Sequence, residues 1–341
     1  MTPLRRREEP GLKQAQAPMK QLEERFVAWA QTRPDIRAAI VVGSWARADH
    51  PADEWSDLDV GFTTTDPQRY LSRADWLEDI APTWVTYPDP GGVVHHVLFV
   101  GGLDAGFAVL ANKTIKQAVR VVPLLRRVPM LLRLLPKGLS QQITRDIASA
   151  AEYYRRGVRV ILDKDGLATR FLSLFPADSQ PHAPPTEADF LEVVCEFWFL
   201  AAWTAKHVRR GELWFAKTEG CDGQMKSLLL RMLEWQARAT HGWDYDTWER
   251  GRFLEEWADP PVLRALKTAF GRYGDDDVRR ALLATMDLFR SVAVDTAERL
   301  GYSYPTSADE RVTEWTRACL SEGAATGGGW HSMTKGSGAD L

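Results

Sequence analysis

The hydrophobic rhythm of the chain changes near its middle. Between about residues 20 and 165, short apolar runs bounded by turn residues alternate with stretches of helical period, which predicts a mixed α and β domain. Ala38-Ala-Ile-Val-Val42 reads as a buried strand running into Gly43-Ser-Trp-Ala-Arg47. Leu58–Thr63 reads as a second strand after a polar connection. Val93-Val-His-His-Val-Leu-Phe-Val100, Gly101-Gly102 and Leu103-Asp-Ala-Gly-Phe-Ala-Val-Leu110 read as strand, glycine turn and strand. From Glu187 onward strand signals nearly vanish, and apolar residues at helical spacing predict helices over Phe190–Val208, Gln224–Ala237, Val262–Tyr273 and Val278–Arg299.

The fold class predicted is α+β: an N-terminal domain with a mixed β-sheet flanked by helices, then an all-helical C-terminal domain. The boundary belongs in the proline-rich stretch Phe175-Pro-Ala-Asp-Ser-Gln-Pro-His-Ala-Pro-Pro185, where missing backbone donors forbid a continuous helix. The expected order is a flexible arm over 1–19, the mixed domain over 20–174, a linker over 175–186, the helical domain over 187–321, and a disordered Gly/Ser-rich tail over 322–341. A cleft between the two domains is the expected site.

Composition narrows the function classes. The 341 residues leave room for two cores. Forty-three basic residues nearly balance 46 acidic ones, giving a formal charge of -3 and a pI near 6.2, without the basic excess that nucleic-acid binding calls for. Small molecules are therefore the expected partners, with no nucleic acid and no membrane, and the chain is expected to be a monomer or a weak homodimer. Cys195, Cys221 and Cys319 are odd in number and widely spaced, suggesting neither a disulfide framework nor a zinc cluster and fitting a reducing cytoplasm. The apolar stretch Val119–Leu135 is interrupted by arginines and two prolines, so it reads as a broken amphipathic helix rather than a membrane span.

The chemistry gathers between residues 36 and 63. Asp57 and Asp59 stand two apart at a strand start, so the strand period turns both carboxylates to one face, roughly 6.5–7 Å apart at Cα. Paired carboxylates hold hard cations such as magnesium together with substrate phosphates. Gly43 and Ser44 lie upstream, directly after the buried strand, where glycine lets backbone donors approach a phosphate and serine adds a hydroxyl. Arg47 offers a cation to the same phosphate tail.

A strand followed by Gly43-Ser44-x-x-Arg47 and then Trp55-Ser-Asp-Leu-Asp-Val60 resembles the polymerase-β-type nucleotidyltransferase superfamily. Farther along, Asp75-Trp76-Leu77, Asp163-Lys-Asp165, Glu196-Phe-Trp198, Lys206, Arg210 with Glu212, Leu230-Arg-Met232 with Trp235, Ala297-Glu-Arg-Leu300 and Tyr302–Pro305 are similar in order and spacing to aminoglycoside 6-adenylyltransferases. The resemblance covers most of residues 22–320. It implies a nucleotidyltransferase domain followed by a substrate-binding helical domain. It also implies transfer of AMP from ATP, the co-substrate, to a hydroxyl of an aminoglycoside, streptomycin first among them, with release of pyrophosphate and antibiotic resistance as the outcome. Two magnesium ions held by Asp57 and Asp59 would serve as cofactors.

The resemblance also implies a third acid on the strand after the turn, as metal ligand or base. Here that position is Gly106, and Asp104 stands two residues earlier on the same strand face. A bulge at Gly102 or Gly106 would shift the register and let Asp104 serve. Without it, the chain is expected to be a weakened family member that binds nucleotide or aminoglycoside, or one that acts on a different small acceptor.

Several residues of the helical half complete the expected site. Glu192 and Glu196, four apart on one helix face, suit the guanidinium groups of streptomycin, with Trp198 nearby as an aromatic surface. Lys206 and Arg210, also four apart, are expected to reach the triphosphate across the cleft. His95 and His96 point to opposite faces of a strand and read as structural or surface residues.

Overall fold

A computed structural model describes residues 17–127, 154, 156–175 and 182–321. The chain divides into two compact units, Met1–Ser179 and Gln180–Leu341. The proposed arm up to residue 16, the tail from 322, and residues 128–135 of the apolar stretch lie outside the described residues.

In the first unit, α1 (Ala17–Thr32) buries Met19, Leu22, Phe26, Trp29 and Ala30, the three-and-four spacing of an amphipathic stripe. The helix thus begins inside the stretch expected to be a flexible arm. Six strands follow: β1 (Ile36–Val42), β2 (Leu58–Thr64), β3 (Thr83–Pro88), β4 (Val94–Phe99), β5 (Leu103–Ala111) and β6 (Val158–Asp163), ordered β3-β4-β5-β2-β1-β6 across one sheet. The β2–β5 pair is parallel and all others are antiparallel, so the sheet is mixed as expected.

Alternation sorts the central strands into two faces. Leu58, Val60 and Phe62 of β2, with Ala105, Phe107 and Val109 of β5, turn into the core. An aromatic cluster forms there. Phe26 lies 5.3 Å from Phe107, Trp29 stacks on Trp76 at 5.3 Å, and Tyr70 stands edge-on to Phe62 at 5.3 Å. The residues between these core positions, Asp59 in β2 with Asp104 and Gly106 in β5, are left to the other face.

Between β5 and β6 lies α2 (Asn112–Arg127), which carries Pro123 inside its last turns. It holds the first half of the apolar stretch that was expected to be a broken amphipathic helix, and no described helix is long and apolar enough to cross a membrane. The segment Asp163-Lys-Asp165 ties the edge strand down. Asp163 accepts hydrogen bonds from the backbone N–H groups of Leu167, Ala168 and Thr169 at the start of the helix Leu167–Leu172. Lys164 Nζ donates to the carbonyls of Ala30, Gln31 and Arg33 at the end of α1. Asp165 pairs with Arg37.

The second unit is helical. Its long helices are Glu187–Arg209, Met225–His241, Pro260–Ala269, Asp275–Leu300 and Thr306–Ser321; the first four start and end within a few residues of their expected bounds, and the last is one that the sequence reading did not name. Thr186 and Asp189 close a capping box at the first of them. A π-helix over Ala216–Gln224 runs directly into Met225–His241. Phe190, Phe197, Met225, Met232 and Phe289 build the core, with Phe197 and Phe289 stacked face to face.

Candidate active site

The site is set by the turn after β1 and the register of three strands. Val42 ends β1 and Gly43 enters a tight turn with φ of +70°, a conformation that favours glycine. The Gly43 carbonyl accepts from the backbone N–H groups of Ala46 and Arg47, closing the turn beside β2. A Cβ at Gly43 would stand 3.0 Å from Oδ2 of Asp59. Turn and carboxylate are therefore in close approach, as the spacing of Gly43-Ser44 and Asp57-x-Asp59 predicted.

On the far side of β2, Asp59 lies opposite Gly106 in the parallel register, and Gly106 lies opposite His96 of β4. A Cβ at Gly106 would stand 3.0 Å from Oδ1 of Asp59 and 3.9 Å from Nδ1 of His96. The Asp59 carboxylate is thus flanked by two glycines, one on each neighbouring segment. A side chain at either glycine would press on one of its two oxygens.

Asp57, one residue before β2, continues the same face. The register carries on to place it beside Asp104, two residues before Gly106. The β4 pairing over Leu103 to Ala108 and the β2 pairing over Ala105 to Ala111 both run without a register shift. The bulge at Gly102 or Gly106 that would let Asp104 serve is therefore absent, and Asp104 stays at the level of Asp57 instead of moving to that of Asp59. The Asp104 carboxyl is pushed above its ordinary range, first by partial loss of solvent and then by the charge of Asp57, while His96 opposes the shift.

Among the described residues, no group of three or more His, Cys, Asp or Glu converges to hold a metal ion by itself. Two oxygen-donating carboxylates beside a phosphate-sized turn are nonetheless the donor set that magnesium uses when phosphates complete its shell. The residues present fit such an ion bound with a nucleotide, and a Gly106 without a side chain supplies no third acid.

Ser44 strengthens the phosphate side of this reading. Its Oγ is buried and has no hydrogen-bond partner, a costly state for a hydroxyl unless a ligand completes it. Ser44, Trp45 and Arg47 line a concavity of about 420 Å³ together with Lys20, Arg159, Glu23 and Glu24. Arg47 Nε donates to the His50 carbonyl at 2.7 Å, which braces the loop leading toward β2.

In the helical unit the expected residues divide. Glu192 and Glu196 are exposed on the same helix, as their spacing requires. Trp198 is corrected to a core residue: it is 3% exposed, its Nε1 donates to the Tyr304 hydroxyl at 3.1 Å, and the Arg290 guanidinium lies over its ring. Lys206 Nζ sits 5.5 Å from the ring centroid of Trp315, and Arg210 pairs with Glu212 at 2.7 Å. Both cations are engaged within their own unit.

His95 and His96 separate as predicted. His95 is buried beside Trp76, whereas His96 is half-buried on the face that carries Asp59 and stacks on Tyr87 with ring centroids 5.0 Å apart. Alternation told that the two histidines diverge but not which face holds the carboxylates. His96 is accordingly the site-face residue that the sequence reading passed over.

Comparison with known proteins places the chain in a family. A family model described as streptomycin adenylyltransferase matches residues 18–94 and 139–319. The chain is 23% identical over 297 residues to an aminoglycoside 6-adenylyltransferase of Bacillus subtilis strain 168, covering 85% of this chain and 94% of that protein. It is 24% identical over 299 residues to an aminoglycoside 6-adenylyltransferase of Campylobacter jejuni, covering 87% and 93%. A crystal structure of an aminoglycoside 6-adenyltransferase from Bacillus subtilis aligns over 89% of this chain and 97% of that one, with 18% identity and a TM-score of 0.39. With the turn, the paired carboxylates and both halves of the chain matched by one family model, the chain belongs to the streptomycin adenylyltransferase family.

Proposed function

We propose that the protein transfers AMP from ATP to a hydroxyl of an aminoglycoside, with streptomycin as the first acceptor to test and inactivation of the antibiotic as the consequence. The observation that carries this reading is the Asp59 carboxylate, seated between the Gly43 turn and Gly106 and in line with Asp57 on one sheet face. Relatives that bear the name aminoglycoside 6-adenylyltransferase over more than nine-tenths of their own length support the same acceptor class.

In this reading Asp57 and Asp59 would hold magnesium, and magnesium bound there supplies neutralisation of the phosphate charge. Backbone N–H groups of the Gly43 turn and the orphan Ser44 hydroxyl receive the phosphate tail. Much of the rate enhancement then comes from holding the acceptor oxygen in line with the α-phosphorus. Glu192 and Glu196 remain candidates for the cationic groups of the acceptor, and Lys206 and Arg210 for the phosphates.

The test is mass-spectrometric detection of adenylylated streptomycin after incubation with ATP and magnesium, beside an Asp57→Asn variant. Loss of one ligand carboxylate is expected to lower turnover by about 10²-fold, some 2–3 kcal/mol of transition-state stabilisation. Turnover unchanged in Asp57→Asn would sink the assignment. A second reading, a family member that binds nucleotide and transfers slowly, is favoured by Gly106 alone; it predicts ATP binding by calorimetry without adenylylated product.

A further inference from the structure

We propose that His96 is a further catalytic residue, the general base that takes the proton of the acceptor hydroxyl in a site where position 106 carries no acid. The inference rests on the adenylyl-transfer reading above.

Tyr87, His96, Gly106 and Asp59 form one row across β3, β4, β5 and β2, because each pairs with the next. In a pleated sheet such a row shares a face. With no side chain at Gly106, the space above that residue is bordered by Oδ1 of Asp59 on one side and Nδ1 of His96 on the other, 3.0 and 3.9 Å from where a Cβ would begin. A carboxylate at 106 would extend into this gap. In its absence, the nearest group on that side able to accept a proton is the His96 ring.

His96 is also held. Its ring stacks on Tyr87 at an interplanar angle of 21°, which fixes the imidazole plane without covering its edge. The charged and titratable groups facing it are Tyr87 from β3, Asp89 from the turn before β4, Asp104 from β5 and, beyond the Gly106 gap, Asp59 with Asp57 from the start of β2. The family model's matched stretches run to residue 94 and resume at 139, so His96, Asp104 and Gly106 all fall between them.

A ring nitrogen of neutral His96 accepts the hydroxyl proton while the acceptor oxygen forms a bond to the α-phosphorus of ATP. The bond from that phosphorus to its bridging oxygen breaks, and pyrophosphate leaves with the electron pair. The imidazolium then returns its proton to solvent.

Steady-state kinetics with streptomycin and ATP test the assignment, using His96→Ala, His96→Gln, Gly106→Asp and the double variant His96→Ala/Gly106→Asp. His96→Ala is expected to lose roughly 10²–10⁴-fold in kcat, the usual worth of a general base, with KM for ATP little changed. The double variant is expected to recover part of that loss, because its new carboxylate enters the same gap; a merely structural histidine would give neither the kcat-only loss nor the recovery. If His96→Ala loses ATP binding as well, His96→Gln decides, since it keeps the side-chain bulk without the base. Undiminished kcat in either single His96 variant would overturn the assignment and leave adenylyl transfer standing. Product from Gly106→Asp but none from the unmodified chain would also overturn it, by showing that nothing covers the gap. Silence from both would overturn adenylyl transfer of streptomycin and the His96 role together.

Discussion

Asp59 shows how much of this site depends on what is missing from its neighbours. Gly43 reaches φ of +70°, where a Cβ costs about 1–2 kcal/mol, and that Cβ would also stand 3.0 Å from Asp59 Oδ2. Gly106 carries no such backbone demand, so a Cβ there meets only the other oxygen of Asp59, the Val94 side chain and His96. Gly43→Ala is therefore expected to lower unfolding free energy by about 1–2 kcal/mol and turnover with it. Gly106→Ala is expected to lower turnover while leaving stability nearly unchanged. Urea midpoints and kcat measured on the two variants separate the backbone effect from the carboxylate effect. Equal destabilisation of both would refute the distinction.

At the scale of elements, the strand that closes the sheet is fixed by one carboxylate. Asp163 is partly buried, which pushes its pKa up, but hydrogen bonds from Thr169, Ala168 and Leu167 outweigh this and hold it below its ordinary value of 3.8. A carboxyl depressed in the folded state contributes stability above its unfolded value and loses it as pH falls through the lower folded value. Asp163→Asn is expected to cost about 1–2 kcal/mol at neutral pH, the scale of a lost helix cap. The gap from the unmodified chain should narrow as pH falls below about 3.8, where the unfolded carboxyl takes up a proton, and close below the lower value at which the native one does. Urea unfolding at both pH values checks the sign; a gap that widened on acidification would contradict it.

This element is also one that alternation did not reveal. β1 is legible as an unbroken apolar run buried on both faces, β2, β4 and β5 from largely alternating burial, and the long helices because three-and-four spacing persists over several turns. β3 is exposed along nearly its whole length and β6 sits at the opposite edge, so neither shows a clean period of two. The π-helix over Ala216–Gln224 leaves no simple sequence period, and its two glycines read as a break. The site divides in the same way. Gly43, Ser44, Asp57 and Asp59 are neighbours along the chain and could be read from local spacing. His96 joins them only through pairing across β5 and β2, which no single strand's pattern encodes.

The two units have separate cores: the buried cluster of the first draws on residues from Met19 to Val109, and that of the second on residues from Phe190 to Leu320, with none shared. In the second, two helices and the connection between them are tied through one buried carboxylate. Asp309, 2% exposed, accepts from Arg290 Nε and Nη2 at 2.6 and 2.7 Å, from the Tyr304 hydroxyl at 2.8 Å and from Thr313 Oγ1 at 3.0 Å. Burial and then the adjoining Asp309 push the Tyr304 phenol well above its ordinary range, so it stays a donor. Trp198 enters the same network by donating to Tyr304, which explains why it packs inside instead of meeting a ligand. Asp309→Asn keeps the shape but removes the charge that Arg290 faces, and Arg290 retains only Asp287 as an ionic partner among those named. The expected cost is about 2–3 kcal/mol, the range for charge-assisted hydrogen bonds to a buried group. Because every partner of Asp309 belongs to the second unit, the loss should appear there first. Native-state hydrogen exchange is expected to show reduced protection across residues 187–321 with β1, β2, β4 and β5 unchanged. Equal loss of protection in both units would instead make the chain a single cooperative structure, in which a charge among the C-terminal helices governs the stability of the sheet that carries Asp57 and Asp59.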